Sequence, residues 1–115
     1  MTRSSVWQSV CTTIAMVDSA KSEAVRLYTS WGRNPWPRTD PDAVLGMSGA
    51  SPELLLRYAE RVVQEMFDQF PVWDVGPEGL AQAADRVGAG MAVRHPELDA
   101  EAAKALAWMW SYSAR

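Results

Sequence analysis

Carboxylates are the side chains this sequence supplies most freely for chemistry. Asp40 and Asp42 flank Pro41, and Asp68, Asp74 and Glu78 surround a second proline-bearing turn. Paired Asp and Glu side chains can exchange protons with a substrate or hold a divalent cation with little other help. The spacing that would assemble them is missing, since no Glu-x-x-His occurs to build a dimetal helical site. Glu53 with Arg57, and Arg61 with Glu65, have the i,i+4 separation of surface ion pairs, and Glu60 and Glu65 splay apart. A solvated helix face accounts for these residues, so no catalytic residue and no metal ligand is assigned.

The remaining reactive types are few. His95 lies between Arg94 and Pro96 at the end of a helical block, where a cation complements the helix dipole, and reads as a terminal or surface histidine. Cys11, among β-branched and small residues, reads as a structural thiol. One cysteine and one histidine can form neither an internal disulfide nor a Cys/His zinc site. No GxxxxGK[ST] loop and no Gly-x-Ser-x-Gly elbow is present, and Gly88-Ala89-Gly90 falls inside a helical pattern rather than before one. No cofactor is assigned.

Two segments stand out instead: Trp31 to Asp40 (WGRNPWPRTD) and Pro71 to Glu78 (PVWDVGPE). Each carries tryptophan in a proline-stiffened loop beside charges. Trp and Arg dominate the energetics of protein interfaces, and proline lowers the ordering cost of a contact. The residues assigned to partner binding are therefore Arg33, Trp36, Arg38, Asp40, Trp73 and Asp74. The competing reading folds Trp36 and Trp73 back as lids on the core. A rival function uses the same loops as an aromatic cleft, with Asp40, Asp42, Asp74 and Glu78 as ligands for a small molecule or divalent cation.

These loops hang on helices. Trp7, Val10, Ile14, Val17, Ala24, Tyr28 and Trp31 predict one stripe of a helix over residues 4–31, with a break near Asp18 and Ser19; residues 4–17 can also be read as a strand. Asp40 followed by Pro41 predicts a short helix ending at Gly46. Ser51-Pro52-Glu53 opens a helix to about Phe70, with Leu55, Tyr58, Ala59, Val62, Val63, Met66, Phe67 and Phe70 inward. A further block runs from Gly76 to Pro96 with Leu80, Ala84, Val87 and Met91 inward, and its small residues Ala81, Ala84, Gly88 and Ala92 invite a close neighbour. Asp99 caps a last helix to Ser113 with Ala103, Leu106, Ala107 and Trp110 inward. Trp108 and Tyr112 then form a second face, to be covered by the connection from Gly32 to Ser51 or, failing that, to make a homodimer through the C-terminal helix.

The predicted fold is all-α: a single helical domain over residues 1–115, a bundle or orthogonal array of four longer helices and one short one. Eleven Lys and Arg against 14 Asp and Glu give a formal charge of −3, which repels nucleic acid and suits a basic protein partner. An RNA- or DNA-associated factor would need Arg26, Arg33, Arg38 and Arg94 to meet on one face. Polar residues interrupt the first twenty positions, and no stretch approaches the roughly 18 uninterrupted apolar residues of a bilayer span, so the expected location is cytoplasmic. The expected function is a non-enzymatic protein-binding module of the inhibitor, immunity, antitoxin or small regulatory kind.

Overall fold

A computed structural model describes residues 17–47, 51–72 and 79–114. Among them the protein is all-α, with five helices and no strand. Expectations for Trp7, Cys11, the first half of the opening helix, Trp73, Asp74 and Glu78 lie outside the described residues.

Helix α1 is Ser19–Thr29. Asp18 stops it on the N-terminal side, in extended conformation with its carboxylate accepting from the Lys21 amide at 3.0 Å. A helix therefore begins where the break was anticipated, and Val17, expected inward, is exposed. The helix also ends two residues before Trp31. Ser30 takes the left-handed conformation (φ 68°), and its hydroxyl donates to the Arg38 carbonyl at 2.7 Å. That bond across the loop, rather than Gly32 alone, turns the chain and carries Trp31 off the helix.

Helix α2, Pro41–Leu45, is capped by Asp40, whose carboxylate accepts from the Ala43 amide at 3.2 Å. Helix α3, Pro52–Gln69, buries Tyr58, Ala59, Val62, Val63 and Met66, with Phe67 and Phe70 half-buried beside them. Helix α4, Leu80–Arg94, buries Ala83, Ala84, Val87, Gly88 and Met91, whereas Ala81 points to solvent. Helix α5, Ala100–Ser113, is capped by Asp99, which accepts from the Ala102 amide at 2.8 Å.

The buried face of α5 is Ala102, Ala105, Leu106, Met109 and Trp110. Ala103 and Ala107, expected inward, are half-buried because they face α4, which packs on that side of α5. A Cβ added at Gly88 would stand 3.1 Å from the Ala107 Cβ, so the bare backbone there sets the approach of the two helices. Trp110, fully buried, donates its indole N–H to the Phe70 carbonyl at 2.6 Å, which satisfies one of the carbonyls left over at the end of α3.

Helix α1 is fastened to the start of α5 by polar contacts. The Asp18 amide donates to the Glu97 carbonyl at 2.7 Å, the Asp99 amide to the buried Ser22 hydroxyl at 2.9 Å, and Arg26 to Asp99 at 2.7 Å. Among the described residues no buried side-chain nitrogen or oxygen lacks a partner, and no helix is long and apolar enough to cross a membrane.

Candidate functional site

The loop from Trp31 to Asp40 is tied at its base and along one edge. Its backbone returns to the end of α1 through Arg38 N–H to Thr29 carbonyl at 3.3 Å and Asp40 N–H to Tyr28 carbonyl at 2.9 Å. Its tryptophan and proline edge lies on α5. The Trp31 ring meets Trp108 edge-on with centroids 5.2 Å apart, its indole N–H donates to Glu101 at 3.2 Å, and the Tyr112 hydroxyl donates to the Pro35 carbonyl at 3.2 Å. The Trp31 hydrogen bond, aided by Lys104, holds the Glu101 carboxyl below its ordinary range. The loop thus lies against Trp108 and is bonded by Tyr112, which itself stays exposed.

Trp36 is the exception within this tied loop. It remains 59% exposed, although it could have folded inward as a lid. With Pro37, Arg38 and Thr39 it forms one wall of an open groove of about 440 Å³, whose other walls are Val63 and Phe67 of α3 and Met109, Tyr112 and Ser113 of α5. Such a volume lies within the range of pockets that take a bulky side chain or a small ligand.

The other assigned residues fall into two groups. Arg38 is exposed at the groove rim and makes no side-chain ion pair with any described residue. Arg33 and Asp40 are brought together, 3.6 Å apart, and Asp40 is also engaged in capping α2. Trp73 and Asp74 are outside the described residues, as are Asp74 and Glu78 of the carboxylate cleft. Among the described residues no three His, Cys, Asp or Glu side chains gather as metal ligands. Of the four arginines required for a nucleic-acid face, Arg26 pairs with Asp99, Arg33 with Asp40 and Arg94 with Glu65.

A polar cluster invisible in the sequence joins α3 to the α4–α5 turn. His95, only 17% exposed in its side chain and so not a surface histidine, places Nε2 3.0 Å from Glu65 and Nδ1 3.0 Å from Glu97. Both contacts are hydrogen bonds at once only when the ring carries two protons. Tyr58 donates to Glu97, and Arg94 to Glu65. The Arg94 hydrogen bond, with burial opposing and His95 assisting, holds the Glu65 carboxyl below its ordinary range. Burial pushes the Glu97 carboxyl up, but hydrogen bonds from Tyr58, its own backbone and His95 outweigh it and leave the group lowered. Burial first, then the bond to Glu97, pushes the Tyr58 phenol far up. The two carboxylates address opposite ring nitrogens and do not converge on one point, so the cluster reads as a brace between helices. Arg94, His95 and Glu97 are neighbours in sequence, but their contacts with Tyr58 and Glu65 of α3 span 29 to 39 residues, and only tertiary packing makes those.

No protein-family model, curated protein or solved structure matches this chain.

Proposed function

We propose that this chain is a protein-binding module and that the loop carrying Trp36 and Arg38 is its contact surface, in the manner of an inhibitor or small regulatory subunit. The observation that carries this reading is the indole of Trp36, left 59% exposed on a loop that is bonded back to α1 and to α5, beside an apolar groove. A large aromatic ring in water costs hydrophobic free energy that a partner's surface would recover. Because the backbone around it is already ordered, binding would forfeit little loop entropy. The matching partner offers an apolar side chain to the groove of Val63, Phe67 and Met109, and an acidic group to Arg38. The overall charge of −3 suits a basic periphery around that centre.

Replacing Trp36 and Arg38 together by alanine tests this. Both are exposed, so the melting temperature should stay close to that of the parent chain, while affinity for a protein captured from native lysate falls by about 2 kcal/mol or more, roughly thirtyfold. An unchanged affinity, or a loss that merely follows a collapse in stability, contradicts the proposal. Self-association abolished by the same substitutions would make the partner a second copy of the chain.

A further inference from the structure

The opposite flank of α3 carries a second groove with a different character. Lys21 of α1 and Leu54, Leu55, Arg57, Tyr58 and Arg61 of α3 enclose about 420 Å³. At about 100° per residue, Arg57 and Arg61 lie about 120° around the helix from Val63 and Phe67, so this groove is separate from the one at Trp36 and its reading does not rest on the function proposed above.

Its charge is the unexpected part. The sequence pairs Glu53 with Arg57 and Arg61 with Glu65, yet Glu65 turns instead to Arg94 and His95. Neither Arg57 nor Arg61 has an ion pair among the described residues, and the Lys21 ammonium lies 5.0 Å over the Tyr58 ring. The carboxylates nearest the groove already have partners: Asp18 caps α1, Glu65 takes Arg94 and His95, and Glu97 takes the Tyr58 hydroxyl and His95. Glu53 and Glu60, each within about one turn of Arg57 and exposed, make no described hydrogen bond or ion pair and are the acidic groups left beside the cations. In a chain of net charge −3, three cations therefore face one groove.

The groove also has two ends. Leu54 and Leu55 sit on the first turn of α3, and Leu54 is 62% exposed; the cations begin one turn further on. Guanidinium groups one turn apart suit the oxygens of a carboxylate or phosphate, and leucine suits a hydrocarbon. We infer that this groove binds a small amphiphilic anion, a carboxylate or phosphate head against Lys21, Arg57 and Arg61 with a short hydrocarbon tail over Leu54 and Leu55.

Decyl phosphate, kept below its micelle concentration and titrated into the ¹⁵N-labelled full chain, tests the inference. Saturable amide shifts should centre on Lys21, Tyr58 and Arg61. Inorganic phosphate and decanol should each bind about tenfold or more weakly, since each lacks one half of the ligand. The Arg57→Gln/Arg61→Gln double variant should lose about tenfold for decyl phosphate, and Leu54→Ser should weaken decyl phosphate but not phosphate. The Trp36→Ala/Arg38→Ala variant should bind normally. Equal binding of decanol, equal binding of phosphate, shifts centred elsewhere, tighter binding of a hexaglutamate peptide, or binding only to anionic vesicles would each overturn it.

Discussion

At the scale of single residues, the position of His95 between two carboxylates says most about how the molecule responds to acid. Both Glu65 and Glu97 have folded-state values below the ordinary carboxylate range of about 4.3, so the folded protein holds their protons more weakly than the unfolded chain. Their stabilisation is fully present above that range and is lost as pH falls through the lowered values. The melting temperature should therefore fall as pH drops below about 4.5, and the Glu65→Gln/Glu97→Gln variant should show a shallower fall over the same interval. Parallel curves for the two proteins would show that the brace does not couple folding to pH. Little of this cluster was legible in advance. Position at a helix end marks His95 as a terminal residue, and that is where it lies; nothing local reveals that Glu65 bypasses Arg61, one turn away, for Arg94 in another helix. The choice is made by the packing of α3 against the α4–α5 turn, which no i,i+4 rule contains.

At the scale of helices, local signals carried most of the architecture. Asp18, Asp40 and Asp99 cap where short polar side chains before a helical pattern should, and the prolines of α2 and α3 stand in the first turn. The errors share one cause. The α5 face turned from Ala103 and Ala107 toward Ala102 and Ala105 because that helix has neighbours on two sides, and Trp31 left the first helix because a side-chain bond from Ser30 reached Arg38 eight residues on. Gly90 makes a similar point about propensity. Alanine is favoured over glycine by about 1 kcal/mol in a helix interior. Here, however, a Cβ would stand 2.6 Å from the Phe70 ring, which packs at the end of α3 beside the core. Gly90→Ala should consequently lower the thermal midpoint, as read by circular dichroism. A rise would mean that Phe70 yields freely and that its approach to α4 does not depend on glycine.

At the scale of the whole molecule, α5 gathers α1, α4 and the tryptophan loop, while α2 packs on α1 and α3. Helix α1 is pinned to the start of α5 by Ser22 and Arg26, α4 lies along Ala103 and Ala107, and the Trp31 to Asp40 loop lies against Trp108 and is bonded by Tyr112. That arrangement answers, for one of the two tryptophan loops, a question the sequence leaves open. Hydrophobicity alone favours Trp36 as a lid, but Trp31 already occupies the surface of α5 beside Trp108, and Trp36 is held at the lip of the groove rather than within it. The function proposed here depends on that exposure more than on any other feature. Fluorine NMR of 5-fluorotryptophan-labelled protein measures it directly, with the Trp36 signal assigned by a Trp36→Phe variant. The expected result is a Trp36 resonance that senses a change from H2O to D2O in the free protein, and that shifts and loses this sensitivity when the captured partner is added while Trp110 stays constant. A Trp36 resonance insensitive to solvent in the free protein, or one that does not move when partner binds, would contradict the account.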